Sequence, residues 1–299
     1  MSQKVFLLLG MDCERINDEA PGSGGPVDYE LSERSIRSLA ELANRHSVKA
    51  SFYPMPEMAK YHQSLFLELE RDGFALGHQF HATCFRDFRW DKHLGFYSRN
   101  EQHEILSLAT DDWAQAIGRR PQVFRCGNGS ASDDTYPVLE ELGYKVSSSS
   151  MPGRYSPQTH ALWVGKFPFP HHTSAKSRLV AGDMDLYEVP IAKHPTQHVI
   201  GDRGEPHDLR PDRFGSAACI DTYRDTIDAW LRLMKQIEPA VKAMVVGTHN
   251  TIDFETDFRR QALEFVISYS KEAVEREGSK LVPTTLMEVR SEADRMGAY

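Results

Sequence analysis

Two stretches far apart in the chain carry side chains that could do chemistry together. Met11-Asp12-Cys13-Glu14 follows the apolar residues 5–9, and residues 77–81 contain two histidines. An apolar run that ends in acidic residues predicts a buried strand with carboxylates at its carboxyl end, where active sites collect in α/β folds. A carboxylate and two imidazoles form a common ligand set for a hydrolytic metal ion. The sequence therefore predicts a hydrolytic site.

The spacing within each stretch suggests how the side chains are presented. Asp12 and Glu14 lie two apart and would face the same way on an extended chain, where a cation or a shared proton would relieve their repulsion. His78 and His81 lie three apart, which suits one face of a helical turn. Polar residues where a strand reaches solvent, and a partly exposed turn, are the simpler interpretations.

Two further residues end apolar segments. His249 closes the most hydrophobic stretch of the C-terminal half, where a histidine can act as a general acid or base near neutral pH. Arg125 follows two apolar residues and precedes a glycine-containing turn, where it could clamp a carboxylate or orient an acid. A buried histidine with structural partners and an ordinary surface arginine are the alternatives.

The elements that position these residues can be predicted from the sequence, because strand and helix patterns alternate along the chain. Strands are predicted at 4–12, 49–54, 74–76, 123–125, from 146, at 243–249 and from 280. Helices are predicted at 31–46, near 57–72, and at 99–118, 133–143, 221–238 and 257–276. Repeated strand–helix units predict a parallel sheet covered by helices, and their number favours an open or closed barrel over a flat sheet.

Composition excludes several classes of function. The net charge of −8, without any basic block, argues against nucleic acid and anionic membranes as partners. The apolar residues 5–9 are too few for a signal-peptide core or a membrane span. Four scattered cysteines fit free thiols in a reducing compartment, so we expect a cytoplasmic protein. We predict one domain over 1–299.

Residues 150–215 break the alternation and are predicted to form a loop-rich insertion. They hold eight of the 16 prolines and six of the 13 histidines, so regular elements are expected to be short. Such a stretch either shapes substrate specificity or forms the interface of a homo-oligomer. His171 and His172, beside Phe167 and Phe169, are the residues expected to pack on a sugar-like ring.

Several motifs, taken in order, resemble the polysaccharide deacetylase family (NodB-homology, carbohydrate esterase type). The resemblance spans residues 5–290, and its individual motifs are moderately specific. They are Lys49-Ala50-Ser51-Phe52-Tyr53, Phe124-Arg125-Cys126-Gly127, Leu142-Gly143-Tyr144, Ser147-Ser148-Ser149-Ser150, Tyr187-Glu188-Val189-Pro190 and Gly247-Thr248-His249.

The resemblance implies a distorted (β/α) barrel of about seven parallel strands that holds a divalent metal ion, with zinc expected. The implied ligands in this chain are Glu14, His78 and His81. The usual adjacent aspartates appear here as Asp12-Cys13-Glu14. The position four after His78 is Ala82, so His81 is the nearest second histidine.

The resemblance also implies roles for three further residues. Asp12 would act as the base, His249 as the acid, and Arg125 would hold Asp12 ionised and in position. The function implied is a metal-dependent hydrolase that removes an acyl group, acetyl being expected, from an amino sugar or a related small amide. The alternatives are an allantoinase-like cyclic-amide hydrolase with weak or no metal dependence, and a catalytically silent carbohydrate-binding barrel.

Overall fold

Strands and helices alternate along most of the chain in the computed structural model, which describes residues 3–199, 201–202, 204–213 and 219–297. The strands are β1 Lys4–Cys13, β2 Ala50–Pro54, β3 Ala75–Leu76, β4 His78–Phe80, β5 Val123–Cys126, β6 Val146–Ser147, β7 Tyr155–Ser156, β8 Ala161–Leu162, β9 His171–His172, β10 Tyr187–Glu188, β11 Lys193–His198, β12 Pro206–Asp208, β13 Ala243–His249 and β14 Lys280–Pro283. The helices are α1 Tyr29–Arg45, α2 Pro56–Tyr61, α3 Gln63–Arg71, α4 Arg99–Ile117, α5 Thr135–Glu141, α6 Cys219–Ile237, α7 Arg260–Arg276 and α8 Leu286–Met296.

Within the described residues, parallel strands form the wall of a distorted (β/α) barrel. Their order is β13, β1, β2, then β3 with β4, then β5, β6 and β10. β3 and β4 act as one strand that Gly77 interrupts, because β3 pairs with β2 and β4 pairs with β5. β14 pairs with the first half of β1, and β9 adds antiparallel to β10. The prediction of a barrel with about seven parallel strands is confirmed.

The side chains of β1 alternate between two buried layers. Phe6 and Leu8 pack inside the barrel, whereas Leu7 and Leu9 pack against the surrounding helices. Burial on both faces explains why the apolar run is continuous instead of alternating with polar residues. The same alternation turns Asp12 toward the barrel interior at the carboxyl end of the strand.

The helices differ from the sequence predictions mainly at their ends. α1 begins at Tyr29, because the carboxylate of Asp28 caps it by accepting a 2.6 Å hydrogen bond from the Leu31 amide. The single helix predicted near 57–72 is two helices, which separate where His62 leaves the helical conformation. None of the helices in the described part of the chain is both long and apolar enough to cross a bilayer.

The described part of residues 150–215 contains only short elements, as predicted. The longest is β11, of six residues, which pairs antiparallel with β12 and packs on α6. β7 and β8 form a small separate hairpin. This stretch passes over the carboxyl ends of the barrel strands and supplies one wall of the cavity described next.

Candidate active site

Asp12 and Arg125 form an ion pair inside the mouth of the barrel. Arg125 Nε lies 2.9 Å from Asp12 Oδ1, and both side chains are largely buried. The guanidinium also lies over the ring of Tyr53, 4.9 Å from its centroid. A Cβ atom at Gly10 would come within 2.7 Å of that ring, so the close packing that positions Arg125 requires glycine there.

His249 faces Asp12 across the barrel mouth, and Asp212 contacts the other nitrogen of its ring. Its Nε2 lies 4.0 Å from Asp12 Oδ2, because β13 pairs with β1 so that residues 12 and 249 are in register. Its Nδ1 lies 3.0 Å from Asp212 Oδ2. A carboxylate on one ring nitrogen fixes the tautomer and leaves the other nitrogen to exchange protons with a substrate.

Asp212 was not predicted from the sequence as a site residue. Burial alone would raise the pKa of its carboxyl, but Arg210 and His249 outweigh burial and hold that pKa well below its usual range. Arg210 Nη2 lies 3.1 Å from Asp212 Oδ2. Asp212 therefore stays ionised and orients His249. The sequence spacing of residues 212 and 249 does not predict this contact, because Asp212 lies on an irregular loop that only the tertiary fold brings beside His249.

Glu14 and His81 form a second buried pair at the same end of the barrel. Glu14 Oε1 accepts hydrogen bonds from Gln79 Nε2 at 2.6 Å and pairs with His81 Nε2 at 3.0 Å. Burial opposes charge on both groups, but their mutual attraction lowers the pKa of Glu14 and raises the pKa of His81. Asn250 fixes the Glu14 backbone, since its Oδ1 accepts from the Glu14 amide at 2.9 Å.

His78 does not join this pair, and the predicted ligand set of Glu14, His78 and His81 is not assembled. His78 lies on a strand, where neighbouring side chains point to opposite faces, so Gln79 faces the cavity and His78 faces the helices. Its Nδ1 lies 2.6 Å from the Tyr144 hydroxyl. The predicted helical turn over 78–81 was wrong, because the first three of these residues form β4.

Replacing His78 with alanine is expected to destabilise the protein while leaving the cavity chemistry intact. Loss of the buried ring and of its Tyr144 partner should cost about 2–4 kcal/mol of unfolding free energy at pH 7. Urea unfolding measures this, and the exposed His103→Ala provides the control.

The pH dependence gives a second readout of the same variant. Burial lowers the pKa of His78 to about 3, against about 6.5 in the unfolded chain. The unfolded chain therefore binds the proton first as the pH falls below about 6.5, and the wild type loses stability. The gap between wild type and His78→Ala should narrow from pH 7 to pH 5. A constant gap would contradict this placement of His78.

The residues present do not fit a three-ligand zinc site. Within the described ranges, no group of three or more histidine, cysteine, aspartate or glutamate side chains is arranged to hold a metal ion. The hydrogen bond to Glu14 occupies His81 Nε2, the atom that would otherwise ligate an ion, and His78 faces away. Glu14 and His81 thus make two ligands where zinc sites use at least three protein ligands.

A cavity of about 280 Å³ joins these groups at the carboxyl ends of the strands. It is lined by five of the six predicted site residues, namely Asp12, Glu14, His81, Arg125 and His249. Its volume is at the lower end for ligand sites, which suits a molecule of monosaccharide or amino-acid size.

The insertion contributes to the cavity through residues other than those expected. His171 and His172 are buried outside the cavity lining; His171 Nε2 lies 2.8 Å from Lys166 Nζ, and burial lowers the pKa of His171 to about 3. The cavity wall is formed instead by charged side chains, which include Arg154, Lys193 and Glu205. The pattern of histidines beside aromatic residues therefore marks side chains that are buried in the protein, and not side chains that line the cavity.

Comparisons with known proteins agree with this architecture. The family model for polysaccharide deacetylases matches residues 25–147, and none of the curated proteins matches the chain. A Mycobacterium smegmatis protein described as a polysaccharide deacetylase has a TM-score of 0.62 at 14% identity, over 100% of this chain and 92% of its own. PuuE allantoinase has a TM-score of 0.63 at 13% identity, with the same coverage. A Pseudomonas aeruginosa PAO1 protein, also described as a polysaccharide deacetylase, has a TM-score of 0.61 at 15% identity, over 100% and 93%.

The fold and the strand-end cavity define a distorted (β/α)-barrel protein with a candidate active site at the carboxyl ends of its strands. The family match carries this further: residues 25–147 match the family model for polysaccharide deacetylases. The matched segment includes His78, His81 and Arg125, but it begins after Asp12 and Glu14 and ends before Asp212 and His249. The roles of those four residues therefore rest on the geometry of this chain.

Proposed function

We propose that this protein hydrolyses the C–N bond of a small non-peptide amide bound in the cavity. The observation that carries the proposal is the Asp12–His249 pair. Two proton-transfer groups face each other 4.0 Å apart, and each is held by its own partner, Arg125 or Asp212. Each is thereby held in place for proton transfer. The family match supports a deacetylase chemistry.

The reaction proceeds by proton transfers that these residues can supply. Asp12 accepts a proton from a water molecule as the water oxygen bonds to the amide carbon. His249 then donates the Nε2 proton to the departing nitrogen as the C–N bond breaks. Arg125 pairs with the Asp12 side chain and holds it in position. No step is assigned to a metal ion, because the donor set does not fit one.

The substrate proposed first is an N-acylated amino sugar or a related small amide, with acetyl as the acyl group. The family description and the limited cavity volume support it. Cytoplasmic location remains a prediction from composition, and it is compatible with a small metabolite as substrate.

A second candidate is the hydrolysis of a cyclic amide without a metal ion. The specific observation in its favour is that Glu14 and His81 pair with each other without a third ligand among the described residues. The two reactions differ in their products, because deacylation releases two molecules and ring opening releases one. A catalytically silent carbohydrate-binding barrel is the remaining outcome, and it requires that neither class of amide is turned over.

Removal of metal ions tests how the site works. After dialysis against EDTA, we expect well below one zinc or other divalent ion per chain by mass spectrometry, with amide turnover unchanged. The Glu14–His81 pair should also survive this treatment, so the melting temperature should stay the same.

One ion per chain, with turnover lost on chelation and restored by zinc, would contradict this expectation. It would show that Glu14 and His81 separate to form a metal site. Comparison with His81→Ala then identifies the ligand, and His103→Ala, on an exposed face of α4, is the matched control.

A further inference from the structure

One wall of the cavity presents guanidinium groups that are more exposed than the carboxylates with which they pair, and two of these carboxylates, Glu205 and Asp208, also line the cavity. Arg154, Arg210 and Arg213 all line the cavity, with side chains that are 16%, 34% and 24% exposed. The carboxylates with which they pair are more deeply buried: those side chains are Glu205 at 6%, Asp208 at 2% and Asp212 at 4% exposed. A molecule in the cavity therefore meets positive groups first.

A buried network holds this wall in place before any ligand binds. Lys193 Nζ donates to Glu205 Oε1 at 2.6 Å and to Asp208 Oδ2 at 2.7 Å. Arg154 Nε lies 2.9 Å from Glu205 Oε2. Burial lowers the pKa of Arg154 despite these acidic neighbours, so they compensate its charge only partly. Fixed cations lose little conformational entropy when an anion binds.

Building on the proposed function, we propose that this arginine wall binds an anionic group of the substrate, either a carboxylate or a phosphate monoester. Arginine presents its donors in a planar fork that matches both groups. Arg210 Nε is buried without a hydrogen-bond partner among the described residues, so it has a donor to offer. A neutral sugar would leave the positive charges of this wall without an oppositely charged group in the ligand.

The wall lies close to the proposed acid, which limits the size of the substrate. Arg210 contacts Asp212, and Asp212 contacts His249, at 3.1 and 3.0 Å. An anionic group on the wall therefore lies only a few bonds from the amide that is cleaved. The substrate class is a compact N-acyl amide with its own acidic group, such as an N-acyl amino acid or an N-acylated sugar acid or sugar phosphate.

Calorimetric binding of inorganic phosphate and of malonate to the whole protein tests the wall directly. Both anions should bind the wild type at low ionic strength and more weakly as salt is added. Arg154→Gln should weaken binding by about tenfold or more, because a charged hydrogen bond is lost. Arg154→Lys should restore part of it. Arg120→Gln is the matched control, since Arg120 forms an exposed ion pair with Asp111 remote from the cavity.

The outcomes separate this inference from the proposed function. Tighter binding of phosphate indicates a phosphorylated substrate, and tighter binding of malonate indicates a carboxylated one. Asp12→Asn should bind the anions at least as tightly as the wild type, even though its turnover should be lost. If the wild type binds neither anion, or Arg154→Gln binds them as well as Arg120→Gln does, the wall is not an anion site. Turnover that survives in Asp12→Asn would contradict the proposed function and leave the anion site unaffected.

Discussion

Replacing Asp12 with asparagine is expected to lower kcat/KM for amide hydrolysis by about 10²- to 10⁴-fold. Asparagine has nearly the same shape and keeps an oxygen beside Arg125, but it cannot take a proton from water at neutral pH. The loss should therefore fall on turnover and leave substrate binding in place. Amine or acid release measured at several substrate concentrations separates the two effects.

The control for this variant is Asp111→Asn, because Asp111 is an exposed aspartate in a surface ion pair. It should show wild-type kinetics. Loss of the Asp12 charge leaves Arg125 without its ion-pair partner, so melting curves must accompany the kinetics. A folded Asp12→Asn protein with wild-type kcat/KM would show that Asp12 is not the base.

Replacing His249 with asparagine is expected to produce a loss of similar size and to change the pH profile. A general acid must hold its proton, so the wild-type rate should fall on the basic side once that proton is lost. His249→Asn should lack that limb while retaining the acidic one, which reports Asp12. The exposed His103→Asn is the control and should keep both limbs.

Asp212→Asn extends this test to the residue that orients the acid. Asparagine removes the negative charge that lies 3.0 Å from His249 Nδ1 and that stabilises the protonated ring when His249 acts as the acid. We expect a loss of about 10²-fold or more together with a disturbed basic limb. A variant with lower stability but an unchanged pH profile would show that Asp212 only supports the loop.

The barrel and part of its site could be predicted because they follow from local patterns. The apolar runs that end at Asp12 and His249 predicted buried parallel strands, and parallel strands bring their carboxyl ends to one edge. Arg125 lies near the carboxyl end of β5, another parallel strand of the barrel wall. The structure accordingly brings these three residues together, whereas their catalytic roles stay predictions.

The remaining parts of the site depend on tertiary structure that local patterns do not encode. A spacing of three fits a helical turn, but His78 lies on a strand of only three residues, too short to show a period of two. Arg154 and Asp212 reach the cavity on irregular loops, whose course is set by packing against the barrel. Gln79 faces the cavity and donates to Glu14, but a glutamine neither titrates nor commonly binds metal ions, so its type alone does not indicate a site.

Product analysis on EDTA-treated protein tests the central proposal most directly. Time-resolved proton NMR should follow the wild type with small N-acetyl amides that carry an acidic group, and with five-membered cyclic amides. We predict that one of these classes is converted, to acetate and an amine or to a ring-opened acid, and that Asp12→Asn converts neither. Conversion by Asp12→Asn at the wild-type rate, or EDTA-treated wild type that is inert until zinc is added, would contradict hydrolysis by Asp12 and His249 without a metal ion.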